Sequence, residues 1–206
     1  MSPDRLAPEF QWLGQQLYRP MWQRMQERAA AVAEARVREI IWCCEHEAVY
    51  TTGRRGIDNR RGAVLPAPLL RTDRGGETTF HGPGQLMFYP VLHLRGRGLG
   101  VKGYVSLLEQ SCMDMLRGMG VVSARKCGFP GVWVDDAKIA AVGIRVSRGV
   151  VYHGMALNIV VEPAWFAAIN PCGTGLATVN LDVLVTAFPP LPQLARQWYD
   201  CFCRLV

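Results

Sequence analysis

Two periods of apolar and polar positions run along the chain, and each predicts its own kind of element. Apolar side chains three or four residues apart predict helices over residues 20–38, about 104–119 and 189–205, with a short helix over 163–169. Short apolar runs bounded by turn residues predict strands over 40–44, 86–94, 131–134, 138–146 and 150–161. Prolines interrupt the stretch 45–71, which predicts mostly loop.

The order of these elements mixes helices with hairpins and lacks a regular strand–helix–strand repeat. The predicted fold class is therefore α/β (α+β), with a mixed β-sheet flanked by helices. A chain of 206 residues can bury a substantial core, and no linker or internal repeat divides it. We therefore expect residues 1–206 to form a single domain.

Composition narrows the class of protein. Half of the residues are hydrophobic and 19% are charged, which is typical of a globular chain. The sequence has no run of 18 apolar residues, and its N-terminus lacks the basic and apolar pattern of a secretory signal. We expect a soluble cytoplasmic protein that does not bind membranes.

The seven cysteines and four histidines do not form a metal motif. No CxxC pair exists and the histidines are scattered, so we expect reduced thiols and no metal site. Cys112 lies on the apolar face of a predicted helix and is interpreted as a packing residue. Cys172 differs, because it lies in a tight turn between Pro171 and Gly173, where nearby N–H groups could stabilise an oxyanion. A lone loop cysteine is nevertheless usually inert.

The segment RGGETTFHGPGQ, residues 74–85, concentrates glycine to a degree that requires a reason. It predicts either a close approach of backbone to a ligand or an ordinary irregular turn. It matches neither the Walker loop nor the GxGxxG motif. Gly154, inside a predicted strand, also indicates a close backbone approach or a bulge. Considered alone, Lys138 is interpreted as a solvated turn residue and His153 as a core histidine.

A cluster of arginines stands out in a chain of net charge +6, at Arg54, Arg55, Arg60 and Arg61. It is either a solvated loop or a docking patch for an acidic partner. Single-stranded nucleic acid would favour aromatic side chains among the basic ones, and this stretch has none. An acidic protein is therefore the favoured partner, and nucleic acid is not expected.

Taken together, these segments resemble the lipoyl(octanoyl) transferases, which move octanoyl from acyl carrier protein to protein lysines. The resemblance covers nearly the whole chain and rests on motifs in the family's order. They are EHEAVYTTGRRG, DRGGETTFHGPGQLMFYPVL, GVWVDDAKIAAVGIRVSRGVVYHGMALNI and INPCGTGLATV. The resemblance implies a fold similar to the catalytic domain of biotin and lipoate protein ligases, here an octanoyltransferase catalytic domain over residues 1–206.

The resemblance also implies roles for particular residues. Cys172 is implied to be the nucleophile that accepts the acyl group, and Lys138 the catalytic partner that lowers its pKa and handles protons. The implied substrate-binding residues are Arg74, Gly75, Gly76, Glu77, Thr78, Thr79, Phe80, His81, Ala141, Val142, Gly143, Gly154, Met155 and Ala156. No cofactor or metal is implied.

The implied donor is octanoyl-acyl carrier protein. The implied acceptors are lipoyl domains of 2-oxoacid dehydrogenase E2 subunits and the glycine cleavage H protein. Two alternatives stay open. An ATP-dependent lipoate or biotin protein ligase would share the fold, although it needs no nucleophilic cysteine. A non-catalytic nucleic-acid-binding module would use the glycine-rich segment and the arginines instead.

Overall fold

The computed structural model describes residues 6–56, 65–169 and 177–206. The strands are β1 (Glu9–Gln16), β2 (Ile40–His46), β3 (Val49–Thr52), β4 (Leu69–Arg71), β5 (Thr79–His81), β6 (Gln85–His93), β7 (Ala124–Lys126), β8 (Phe129–Val134), β9 (Ala137–Ser147) and β10 (Val150–Asn158). Within the described residues, a large sheet of seven strands has the order β1-β2-β6-β10-β9-β8-β7, and a small sheet has the order β4-β3-β5. In the large sheet β1 and β2 are parallel and the other neighbours are antiparallel.

Helices α1 (Tyr18–Ala33) on one face and α2 (Val101–Arg117) with α4 (Leu191–Cys203) on the other cover the large sheet, and the short α3 (Ala164–Ala167) packs against the small sheet. Side chains alternate along the central strand β6, so Leu86 and Phe88 pack toward α2 and α4, whereas Met87 and Tyr89 pack toward α1. The alternation produces two apolar layers. Among the described residues, no helix combines the length and the apolarity that a membrane crossing requires.

The predicted fold class is confirmed, and the predicted helices and strands are present with shifted ends. The first helix ends at Ala33 instead of residue 38, since Ala35 adopts a φ of 54° and breaks the helical path. The prediction of mostly loop over 45–71 was wrong for β3 and β4, which are short strands of the small sheet. Strand β1 was not predicted, because an edge strand rich in glutamine and without regular burial gives no period of two.

Candidate active site

A cavity of about 380 Å³ lies where the glycine-rich segment crosses β9 and β10. The residues implied by the resemblance that line it are Arg74, Gly75, Gly76, Glu77, Thr78, Thr79, His81, Lys138, Ala141, Val142, Gly143, Gly154, Met155 and Ala156. Phe80 is the exception among the described candidates. Its ring is fully buried and stacks on Trp165 at 4.7 Å, in a cluster with Tyr50, because neighbouring side chains of β5 point to opposite faces.

The glycines of this segment allow one backbone to lie directly on another. The Gly75 N–H donates to the Ile144 carbonyl at 2.9 Å, so the segment is joined to β9. A Cβ added at Gly143 would lie 3.2 Å from the Gly75 oxygen, and one at Gly53 would lie 2.4 Å from the Gly76 oxygen. Close packing of backbone thus explains several of these glycines independently of any ligand.

Arg74 is a buried cation in the cavity wall, with 6% of its surface exposed. Its guanidinium donates to the Thr51 carbonyl at 2.6 Å, the Thr51 hydroxyl at 2.8 Å and the Glu77 carbonyl at 2.7 Å. These hydrogen bonds fix the orientation of the guanidinium and connect the glycine-rich segment to β3. The result is a rigid positive charge beside the cavity.

Asp73, immediately before the glycine-rich segment, is a hydrogen-bond hub. Its carboxylate accepts from Trp22 Nε1 and His153 Nε2 at 2.8 Å each, and also from the Tyr152 hydroxyl. Burial would raise the pKa of Asp73, but the hydrogen bonds from His153 and Tyr152 outweigh it and hold that pKa well below its usual range. The hub connects α1, β10 and the segment that carries Arg74.

An unusual backbone conformation brings two successive side chains of β10 to this carboxylate. Neighbours in a strand normally point to opposite faces, yet Tyr152 and His153 both reach Asp73. His153 has a φ of 58°, which redirects its ring, and the next residue is pressed against β6. A Cβ at Gly154 would lie 2.0 Å from the Phe88 oxygen, so the predicted close approach at Gly154 is confirmed. His153 is buried, as predicted.

Two further buried imidazoles lie near the cavity. His81 bonds through Nδ1 to the Gln85 side chain at 2.8 Å and stacks on the Tyr18 ring at 5.6 Å. His46 bonds to the Gln16 carbonyl and to the Tyr89 hydroxyl, both at 2.9 Å. Burial lowers the pKa of His46 to about 4 and that of His81 well below its usual range, so both rings are neutral at pH 7.

Lys138 lies at the start of β9, on the cavity wall. Its Nζ donates to the Pro130 carbonyl at 3.1 Å and lies 4.8 Å from the centre of the Trp133 ring. A Cβ at Gly131 would lie 3.3 Å from Lys138 Cε, so the glycine leaves room for the lysine stem. The Lys138 N–H donates to the Ala177 carbonyl at 2.8 Å, which joins β9 to the chain that follows residues 170–176.

Cys172, Arg60 and Arg61 lie outside the described residues. Arg54 and Arg55 are exposed, and Arg55 contributes to the cavity wall. The prediction that Cys112 is a packing residue is confirmed, because its side chain is fully buried and burial raises the pKa of its thiol.

Sequence reasoning did not select several residues of the cavity. They are Tyr18, Met87, Tyr89, Val105, Gly128, Phe129, Pro130, Ile144 and His153. Most belong to elements that were predicted correctly, but nothing in a strand or helix pattern shows which position borders a cavity. Asp73 was also missed, although its place directly before the glycine-rich segment was a usable signal.

Comparisons with known proteins agree with one another. The family model of the lipoyl protein ligase A/B catalytic domain matches residues 18–202. An octanoyltransferase of Xanthomonas euvesicatoria is 44% identical over 96% of this chain and 88% of its own length. An octanoyltransferase of Methylococcus capsulatus is 43% identical over 90% of this chain and 91% of its own.

Solved structures show the same fold at low sequence identity. A bipartite lipoate protein ligase from Thermoplasma acidophilum has a TM-score of 0.74 at 12% identity, covering 98% of this chain and 84% of that one. A biotin protein ligase from Aquifex aeolicus, in complex with biotin and ATP, has a TM-score of 0.58 at 13% identity, covering 95% and 69%. The mixed sheet flanked by helices is therefore shared with both kinds of ligase.

Proposed function

The chain belongs to the octanoyltransferases of the lipoyl protein ligase A/B catalytic-domain family, and we propose that it moves octanoyl from acyl carrier protein, through a thioester on Cys172, to a lysine of a lipoyl domain. It is an acyltransferase of protein lipoylation. The proposed acceptors are the lipoyl domains of 2-oxoacid dehydrogenase E2 subunits and the glycine cleavage H protein. The proposed location is the cytoplasm, and residues 1–206 are proposed as one catalytic domain.

The observation that supports this proposal most is the meeting of Lys138 and the glycine-rich segment at one cavity. Ala177, which bonds to the Lys138 N–H, follows Cys172 by five positions in the sequence. A free cysteine has a pKa of about 8.5, so only a few per cent is thiolate at pH 7. The Lys138 ammonium would stabilise the thiolate of Cys172 and so raise the attacking fraction.

The donor thioester already carries the activation that a free acid lacks. Thiolate attack on it expels the pantetheine thiolate and leaves the octanoyl group on Cys172. The acceptor amine then attacks this second thioester and forms an amide, which is the more stable product. The proposal therefore requires neither ATP nor a cofactor.

The cavity wall is suited to an acyl chain. Its apolar side chains include Met87, Val142, Ile144, Met155 and Ala156. Burial of the chain would contribute on the order of 0.8 kcal/mol per methylene. The volume of about 380 Å³ is within the range of small-ligand sites.

Exposed charge beside the cavity suits a carrier protein. Arg54 and Arg55 are both exposed, and acyl carrier proteins and lipoyl domains are generally acidic. Complementary charge would speed the encounter and orient the carrier thioester toward the cavity. We propose Arg54 and Arg55 as part of the docking surface.

Intact-mass measurement tests the proposal. Wild-type protein mixed with octanoyl carrier protein should gain one octanoyl group, and hydroxylamine should remove it. Cys172→Ala should gain nothing, and Lys138→Ala should acylate more slowly at pH 7 and recover as the pH is raised. Cys112→Ala is the matched control and should acylate as wild type does. An undiminished adduct on Cys172→Ala would contradict the assignment.

Octanoylation of a lipoyl domain distinguishes the proposed transferase from the ATP-dependent ligase. The protein should octanoylate a lipoyl domain from carrier protein without nucleotide. It should fail with free octanoate even when ATP and magnesium are added. Transfer from free octanoate that depends on ATP would favour the ligase.

A further inference from the structure

The imidazoles near the cavity differ in which ring nitrogen donates a hydrogen bond and which accepts one. In a neutral ring, one nitrogen donates a hydrogen bond and the other accepts one. A carbonyl or carboxylate oxygen only accepts, so a ring nitrogen bonded to such an oxygen must carry the proton. The partners of His46, His81 and His153 therefore fix each tautomer.

His46 has no lone pair left for a ligand. Its Nδ1 donates to the Gln16 carbonyl, so Nε2 must accept, and the Tyr89 hydroxyl donates to it at 2.9 Å. His153 has the opposite tautomer, since Nε2 donates to the Asp73 carboxylate. The remaining Nδ1 of His153 is sealed from solvent and lacks a partner. Neither ring presents an accessible acceptor to the cavity.

The tautomer of His81 is fixed by a relay that begins at the main chain. The Val179 carbonyl accepts from Asn158 Nδ2 at 3.5 Å, which leaves Asn158 Oδ1 as an acceptor. Gln85 Nε2 donates to that oxygen at 2.8 Å, so Gln85 Oε1 is the acceptor for His81 Nδ1–H at 2.8 Å. Each step sets the direction of the next, and Nε2 of His81 is left with its lone pair.

The ring that carries this lone pair lines the cavity. Nδ1 of His81 points to Gln85 in the protein interior, and Nε2 lies at the other side of a ring that lines the cavity. The ring is held in place by the Tyr18 ring, which stacks on it at 5.6 Å. Burial and the Arg74 charge lower the pKa of His81, which agrees with a neutral ring.

We propose that His81 Nε2 accepts the hydrogen bond of the attacking lysine amine, and that Gln85 and Asn158 are positioning residues that keep it an acceptor. This inference rests on the proposed octanoyl transfer. Lys138 as an ammonium has donors and no acceptor, so it would have to lose its proton before it could serve in the same way.

The step balances in protons and electron pairs. The amine lone pair attacks the carbonyl carbon of the octanoyl-Cys172 thioester, and the nitrogen becomes positively charged and strongly acidic. His81 Nε2 takes its proton as the tetrahedral intermediate forms. The intermediate expels the Cys172 thiolate, which receives that proton from the imidazolium, and the amide is released. No redox reagent or metal takes part.

The relay predicts a specific spectrum. With only four histidines in the chain, long-range ¹H–¹⁵N correlation of the imidazoles can resolve each ring. At pH 7 His81 and His46 should carry the proton on Nδ1 and His153 on Nε2. Gln85→Leu should shift His81 toward the other tautomer while His46 stays unchanged. Finding His81 protonated on Nε2, or as an imidazolium, in the wild type would overturn the inference.

Separation of the half-reactions tests the catalytic part. His81→Phe keeps a ring against Tyr18 and removes both nitrogens. Acylation by octanoyl carrier protein should stay within about threefold of wild type, whereas attack by the lipoyl-domain lysine on isolated octanoyl-enzyme should slow about 100-fold. Gln85→Leu should slow the same step about tenfold, and adding it to His81→Phe should cause no further loss.

His46→Phe is the matched control, because it removes a buried imidazole that does not line the cavity. Its effect on the two half-reactions should be equal. Equal losses in both half-reactions of His81→Phe, or no loss in either, would overturn the inference while leaving the proposed function standing. Absence of any octanoyl-enzyme on the wild type would instead reject the proposed function, and this inference with it.

Discussion

The two faces of the large sheet differ in the polarity of the side chains that cover them. The face under α2 and α4 is a continuous apolar layer, in which Phe88 stacks on Trp198 at 4.5 Å. The face under α1 is also apolar over Met21, Met25 and Met87, but its end next to the cavity is made of buried polar groups. His46, His81 and the Asp73 hub all lie at that end.

The two faces contribute differently to the free energy of folding. Apolar burial gains roughly 25 cal/mol per Å² and requires no particular partner. A buried hydrogen bond gains only about 1 kcal/mol net, and a buried group without a partner is costly. The α2/α4 face therefore stabilises the fold, whereas the polar end of the α1 face fixes side-chain directions beside the cavity.

The largest effect should come from the α2/α4 face. Trp198 is fully buried, and Trp198→Ala should lower the free energy of unfolding by about 3–5 kcal/mol through lost burial and the cavity left behind. Urea titration measures it. Ser111→Ala removes the acceptor of the Trp198 indole N–H and the hydroxyl that donates to the Leu108 carbonyl, and it should cost about 1–2 kcal/mol. Equal losses in the two variants would contradict an apolar origin of stability on this face.

Acid should act on the α1 face first. Burial lowers the pKa of His46 to about 4 in the native state, whereas an unfolded histidine titrates near 6.5. As the pH falls between these values the unfolded chain binds the proton and the native one does not, so stability is lost. Each such histidine contributes a slope of up to about 1.4 kcal/mol per pH unit.

His46→Phe tests this slope. Its free energy of unfolding should fall less steeply than that of the wild type between pH 6.5 and 4, although the variant loses two hydrogen bonds at pH 8. Urea titrations across that range give both slopes. Parallel curves for the two proteins would show that His46 takes up its proton equally in both states.

The smallest effect should come from exposed charge beside the cavity. Arg54→Glu with Arg55→Glu should weaken binding of acidic carrier protein severalfold at low salt, and added salt should narrow the difference. Arg117→Glu with Arg196→Glu makes the same charge change on the α2/α4 side, where each arginine pairs with a nearby aspartate, and should leave affinity nearly unchanged. Equal weakening in both double variants would indicate long-range attraction instead of docking at Arg54 and Arg55.

Much of the fold followed from local pattern. The faces of α1 and α2, the strand LMFYPVLHL and the hairpin of β9 and β10 have strong periods, and their existence was predictable. The short strands β3, β4 and β5 were not, because their pairing partners lie in distant parts of the chain. The glycine-rich segment was recognisable as unusual. Its close backbone packing against β9 and next to β3 explains several of its glycines without a ligand.

The sequence by itself determined the layers of the fold through the spacing of apolar residues, and its motifs resembled a family whose likeness implied the candidates Arg74, His81, Lys138 and Cys172. Only the tertiary structure decided that Tyr152 and His153 share one carboxylate, and that His81 bonds through Nδ1 to Gln85. A backbone at positive φ and a relay from Val179 through Asn158 and Gln85 are responsible. These features could not be predicted from local sequence, because the direction of a buried hydrogen bond depends on the groups at the far end of its network.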